Sequence, residues 1–231
     1  MIEEILPRRV AAAEAMEDPP GLVLFPQEAA LLAGAADKRR REYATARACA
    51  RAALGKLGLP PVPILPGPSG APQWPAGIAG SITHCSGYRA CAVGWKRDVL
   101  AIGIDAEPWQ PLPEGVLGAI ATRADYAHLR RLEAARPSVP WDRLLFSAEE
   151  AVYKAWSALT GRRLNFADAS VEIDPVGGTF AVRLLIAGPV VGGHRISGFP
   201  GRWLIRDGLV ITAVVAAAEA RDMTHDERST G

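Results

Sequence analysis

The order of patterned segments constrains this chain more than any other feature. A long helical pattern followed by several short strand-like runs occurs at about 37–108 and again at about 142–218. Strands gathered in runs, rather than alternating one by one with helices, favour sheets with helices laid against them, the α+β arrangement. Two such units predict a pseudo-dimer of two similar α+β lobes, residues 1–110 and residues 111–231. No sequence repeat accompanies the repeated order. At 231 residues the chain can bury a sizeable core.

The first helical pattern begins near Asp37. Tyr43, Ala46, Ala50, Ala53, Leu54 and Leu57 recur at spacings of three and four, and Gly58 and Pro60 end the pattern. Its other face carries Lys38, Arg39, Arg40, Arg41, Arg47 and Arg51. Residues 60–77 form a Pro/Gly loop. Three strands are expected next, from Ile78 to about Cys85, Tyr88 to Trp95 and Val99 to Glu107, joined by Ser86-Gly87 and Lys96-Arg97-Asp98 turns as an antiparallel meander. Along the third strand, period two puts Leu100, Ile102, Ile104 and Ala106 on one face and Ala101, Gly103, Asp105 and Glu107 on the other. Gly103 keeps that second face open to a close approach.

Residues 109–140 read as one or two short helices. The clearest helix is WDRLLFSAEEAVYKAWSALTG, with Asp142 as a cap and Gly161 as its stop. Ser147, Glu150 and Lys154 lie away from its apolar stripe, with Glu149 at the boundary. Strand-like runs then continue to about Ala218, and a polar tail from about 219 is expected to fray.

Composition excludes several classes. The net charge of +1 supplies no global field for nucleic acid or an acidic membrane. No run approaches the roughly 20 apolar residues of a membrane helix, and the acidic start, MIEEILPRRV, does not read as a signal peptide. Cys49, Cys85 and Cys91 form an odd set without CxxC spacing, which points to a reducing, cytoplasmic setting rather than a disulfide framework or zinc site. No Walker loop, GxGxxG or GxSxG is present.

Three features carry chemistry: the Asp105/Glu107 pair on one strand face, Glu150 and Lys154 on one helix face, and Ser81 and His84 near the basic helix. Carboxylates that converge repel one another unless a cation joins them. Oxygen ligands without nearby Cys or His suit Mg²⁺, which is commonly shared with substrate phosphates. Each feature alone also has a plain structural reading. The acids can cap a turn. Glu150 and Lys154 form an i, i+4 pair that stabilises a helix by about 0.2–0.5 kcal/mol without any function. His84 can be a hydrogen-bonded structural histidine.

GSITHCSGYRACAVG (80–94), GIDAEP (103–108) and FSAEEAVYKAW (146–156), in this order and spacing, resemble the motifs of 4′-phosphopantetheinyl transferases, and of the larger, monomeric surfactin- and enterobactin-type class in particular. The resemblance runs from about residue 20 to 218. It implies a coenzyme A cleft between two α+β lobes. It also implies Mg²⁺-dependent transfer of the phosphopantetheine arm to a serine of an apo acyl or peptidyl carrier protein, releasing adenosine 3′,5′-bisphosphate. Carried over by position, Asp105, Glu107 and Glu150 are the metal acids. Glu150 is also the base, and Lys154 sits by the pyrophosphate. Ser81, His84, Arg47 and, less closely matched, Arg39 and Arg51 hold coenzyme A phosphates. Neither nucleic acid nor membrane is an expected partner. Two departures stand out. Glu149 occupies a position where the family usually has Lys, and ILPGPSGAP (64–72) lacks the lysine that members often carry. A pyrophosphatase with water as acceptor, or a non-catalytic coenzyme A or carrier-binding module, are the rival readings. Val116, Leu117 and Ile120 are candidates for a carrier-facing surface or for core.

Overall fold

The computed structural model describes residues 1–67, 70–191 and 193–218. The expected tail from about 219 lies outside these residues. The chain opens with a short 3₁₀ turn (Ile2–Ile5), strand β1 (Ala11–Ala15) and helix α1 (Pro26–Ala30). Helix α2 (Asp37–Lys56), β2 (Ile78–Cys85), β3 (Tyr88–Trp95) and β4 (Val99–Pro108) follow within a residue of the expected bounds. The second half contains α3 (Val116–Ile120), α4 (Arg123–Ala135), α5 (Trp141–Thr160), β5 (Ala169–Asp174), β6 (Thr179–Leu184), the short pair β7 (Val190–Val191) and β8 (His194–Arg195), β9 (Gly198–Arg206) and β10 (Leu209–Ala217).

Each half lays one long helix on an antiparallel sheet. Helix α2 covers β1-β3-β2, with Ala50, Ala53 and Leu54 packed against Ile78, Cys91 and Val93. Helix α5 covers the sheet β4-β10-β9-β6-β5, with Leu144, Leu145, Ala148, Val152 and Trp156 against its strands. A third cluster fills the space between the halves. There Ile102, Ile104, Ile211 and Ala213 meet Ala12, Tyr88, Ala90 and the N-terminal turn.

The expected three-stranded meander is corrected here. β2 and β3 form a hairpin, but β4 leaves it and pairs along its length with β10. β4 thus precedes residue 110 in sequence yet builds the second sheet. Its seam with β2 is made by side chains instead of a ladder. The backbone N–H groups of Ile104 and Ala106 donate to the Ser81 and Thr83 hydroxyls, each at 3.1 Å. These buried amides need such partners because, among the described residues, no strand pairs with that edge.

Two further expectations change. The register slips between Val99 and Ala101 opposite Ala216/Ala217, so Leu100 packs on the α5 side, not with Ile102. A bulge of this kind breaks the period of two. Asp142 does not cap α5. Its carboxylate instead accepts from the N–H groups of Arg143 and Leu112, both at 2.8 Å, and so ties the loop after β4 to the start of α5. Gly161 does end α5, at φ +66, a left-handed conformation that suits glycine.

Candidate active site

The face of β4 expected to be open at Gly103 is occupied by α5. A Cβ at Gly103 would stand 1.8 Å from the Ala151 carbonyl oxygen, so the missing side chain lets the helix press onto the strand. One turn earlier, the Ser147 and Thr212 hydroxyls meet at 2.9 Å, and Thr212 is the β10 partner of Asp105. Ser147 is therefore a buried pin between helix and sheet. Held this way, α5 carries Glu150 and Lys154 to the exit of β4.

There the chemistry-bearing groups converge. Asp105 is buried, and its Oδ1 accepts from Lys154 Nζ at 2.8 Å and from the Thr83 hydroxyl at 3.2 Å. Its Oδ2 is buried without any hydrogen-bond partner among the described residues. Lys154 also donates to the Ile104 carbonyl at 3.0 Å, which leaves one of its three N–H bonds uncommitted. Glu107 pairs through Oε2 with Arg143 at 2.8 Å. Burial pushes the Glu107 carboxyl up, with Asp105 adding to the rise and Arg143 and Lys154 opposing it. Glu150 is half-buried and pushed up by burial, with Lys154 opposing and Asp105 adding. Glu107 and Glu150 thus each feel the Asp105 charge.

Arg143 and Thr83 were not singled out from the sequence. Arg143 is buried and also donates to the Gln110 and Pro111 carbonyls at 3.0 and 2.8 Å. A signal was available: Arg143, Ser147, Glu150 and Lys154 fall at i, i+4, i+7 and i+11, one continuous helix face.

The cations expected to hold phosphates divide into two groups. Arg39 reaches His84 Nε2 at 3.5 Å, at the end of β2 nearest the basic helix. Protein crowding around the ring, then Arg39, Arg89 and Lys154, hold the His84 imidazole below its ordinary range. Arg47 and Arg51 turn inward. Arg47 is buried, donates to the Ile64 carbonyl at 2.8 Å and stacks over Tyr43 at 4.0 Å. Arg51 pairs at 3.0 Å with Glu28, a fully buried carboxylate that also accepts from the Ile64 N–H. These contacts anchor the loop after α2. Ser81 uses its oxygen on Ile104 N–H, which leaves its hydroxyl proton to offer a ligand.

A cavity of about 530 Å³ lies between the Pro/Gly loop, β2 and α5, lined by Trp74, Gly80, Ser81, Lys96, Tyr153 and Lys154. A second, of about 370 Å³, lies on the other side of Tyr153 and includes Glu149, Glu150 and Phe166. A larger hollow of about 780 Å³ between the N-terminal segment and the outer face of the second sheet contains none of the site residues. Chemistry, rather than size, locates the site.

Glu149 on α5 is buried, and its Oε2 has no hydrogen-bond partner among the described residues. Burial, then Asp125 and Glu150, push its carboxyl up to about 9. The folded chain therefore holds a proton that the unfolded chain releases above the usual glutamate pKa. The contribution of this group to stability is fully present below its ordinary value of 4.5 and is lost as pH rises toward about 9. Glu149→Gln should match the parent near pH 4 and exceed its stability at pH 8 by a few kcal/mol, on the order of the shift itself. Urea unfolding at both pH values, with EDTA present, measures this; parallel curves for the two proteins would contradict it.

Clustered carboxylates answered by a lysine, beside a cavity with cations at its edges, form the arrangement of an enzyme that handles phosphoryl groups. Residues 27–94 match the family model for the 4′-phosphopantetheinyl transferase N-terminal domain, and residues 101–195 match that of the 4′-phosphopantetheinyl transferase superfamily. The two matches meet at the β3–β4 turn, where the chain passes from the first sheet to the second. The chain is 53% identical to the 4′-phosphopantetheinyl transferase Svp of Streptomyces mobaraensis, over 95% of this chain and 91% of that one. It is 48% identical to PptT of Mycobacterium tuberculosis over 93% and 97% of the two chains. It is 47% identical to Npt of Nocardia iowensis over 94% and 100%. The chain belongs to the 4′-phosphopantetheinyl transferase superfamily, enzymes that move the phosphopantetheine arm of coenzyme A to carrier proteins.

Proposed function

We propose that Asp105, Glu107, Glu150 and Lys154 catalyse attack of a carrier-protein serine on the diphosphate of coenzyme A. The observation that carries this reading is their convergence where α5 crosses the end of β4, beside the cavity between the two halves. The serine oxygen bonds to the phosphorus next to the pantetheine arm, and the bond from that phosphorus to the bridging oxygen breaks. Holo-carrier and adenosine 3′,5′-bisphosphate result. Glu150 takes the serine proton, directly or through water; burial raises its affinity for protons, the direction a general base needs. Lys154, with one N–H free, stabilises or protonates the departing bisphosphate. Arg39 and His84, with the Ser81 hydroxyl, receive a phosphate at the other end of the cleft.

Asp105, Glu107 and Glu150 fit Mg²⁺ in donor chemistry. All offer hard oxygens, Asp105 Oδ2 is buried without a partner among the described residues, and burial, with Asp105 adding, raises the other two. Among the described residues no group of three acids, cysteines or histidines stands close enough to hold an ion; Lys154 and Arg143 supply the counter-charge to Asp105 and Glu107. When bound, Mg²⁺ would neutralise charge on the diphosphate as its linkage breaks.

We further propose two functional lobes, residues 1–110 and 111–231, with β4 of the first completing the sheet of the second. We propose a monomer, since one chain supplies every group named above, and a cytoplasmic setting, since Cys49, Cys85 and Cys91 are free thiols. No helix among the described residues is long and apolar enough to cross a membrane. Val116 and Leu117 are half-buried and Ile120 is buried, with Leu117 and Ile120 turned to the core, so they offer little free apolar surface to a carrier.

Intact-mass spectrometry of apo carrier domains incubated with this protein, coenzyme A and Mg²⁺ tests the reading. One phosphopantetheine added per carrier, abolished by EDTA, is the expected result. Free 4′-phosphopantetheine with unmodified carriers would instead make the protein a pyrophosphatase.

A further inference from the structure

The cleft cavity has a cation that the reaction scheme does not use. Lys96 lies in the three-residue turn between β3 and β4, and the residue lines the same cavity as Lys154, Trp74 and Ser81. The turn is held firmly. Lys96 N–H donates to the Gly77 carbonyl at 2.8 Å, and Asp98 N–H donates to the Trp95 carbonyl at 2.8 Å. Its neighbour Arg97 is committed elsewhere, stacked 4.8 Å over Trp95 with Asp98 at 3.7 Å. The Lys96 ammonium has no hydrogen bond or ion pair among the described residues, and the residue is exposed.

The other cations around the cleft are less available. Arg47 and Arg51 are tied to Ile64, Tyr43 and Glu28, and Lys154 is tied to Asp105 and Ile104. Arg39 and His84 remain at one end. Coenzyme A presents a diphosphate and a separate 3′-phosphate, more anionic sites than one such pair can answer. The Pro/Gly loop that forms the cavity wall opposite α5 has no lysine or arginine between residues 60 and 77. An ammonium on a flexible stem, anchored at its backbone on the rim of a walled cavity, can reach a phosphate group bound there.

We propose that Lys96 is a substrate-binding residue that pairs with a phosphate of coenzyme A in the cleft. This rests on the reading that coenzyme A occupies that cavity. The pairing is made equally in ground state and transition state, so it lowers KM and leaves kcat alone.

The test compares the parent protein with Lys96→Ala, Lys96→Arg and Arg97→Ala. Calorimetry reads coenzyme A affinity, and carrier modification reads kcat and both KM values. Lys96→Ala should weaken coenzyme A binding and raise its KM by about tenfold, the scale of one charge-assisted contact. The kcat and the carrier KM should stay unchanged. Lys96→Arg should restore most of the affinity, and Arg97→Ala should resemble the parent. Repeating the series with 3′-dephospho-coenzyme A identifies the anion. A Lys96→Ala defect that vanishes assigns the 3′-phosphate, and one that persists assigns the diphosphate. Equal coenzyme A affinity in parent and Lys96→Ala, or an equal loss in Arg97→Ala, overturns the proposal while leaving the transferase reading intact. A parent protein that binds no coenzyme A overturns both.

Discussion

Gly103→Ala should cost about 3 kcal/mol of stability or more and remove most of the transferase activity. The reason is space, since Gly103 is not among the positive-φ glycines. The added Cβ would stand 1.8 Å from the Ala151 oxygen and 2.9 Å from both the Ala151 carbonyl carbon and the Ala155 nitrogen, all helix backbone with no side chain to swing aside. Relief requires α5 to lift from β4. That movement strains the Ser147–Thr212 contact and pulls Lys154 from Asp105. One methyl group, some distance from any reacting atom, would thus misplace two catalytic groups together. Urea unfolding and the carrier-modification rate measure the two effects. Parent-like stability and rate in this variant would show that the helix–strand contact is looser than the geometry indicates.

Asp105→Asn should have the opposite profile, an intact fold with transfer reduced by about 10³-fold. The amide keeps the volume of the carboxylate and can still accept from Thr83 and Lys154. It removes the charge around which Glu107 and Glu150 are arranged. It leaves the amide nitrogen where Oδ2 stands without a partner among the described residues, and turns the Lys154 ion pair into a neutral hydrogen bond, so the melting temperature should fall while the fold is kept. Circular dichroism and the intact-mass assay separate fold from function. Turnover within tenfold of the parent would remove Asp105 from the catalytic centre.

The sequence conveyed the elements well and their partners poorly. Strand bounds at 78–95 were legible because two tight turns interrupt alternating apolar residues. The departure of β4 was not, because a strand's pattern records which faces are buried and not which edge is paired. Both faces of β4 are covered, by α5 and by the layer between the halves, so its alternation carried no directional signal. Gly103 was correctly read as a point of close approach, but local pattern could not say that the approaching object is a helix of the same chain. The basic face of α2 shows the same limit. Composition marks Arg39, Arg47 and Arg51 alike, yet Glu28 and the Ile64 carbonyl draw two of them inward. Asp105, Glu107, Glu150 and Lys154 were legible because strand period and helix period each put charge on one face. Arg143 lay on the same helix face one turn earlier.

The account turns on whether the carboxylates around Asp105 share one cation. Mn²⁺ binding, followed by electron paramagnetic resonance on the coenzyme A-loaded protein, measures this without relying on turnover. A single saturable site is expected in the parent, lost in Asp105→Asn and weakened in Glu107→Gln. Mn²⁺ binding of equal strength in all three proteins would contradict it.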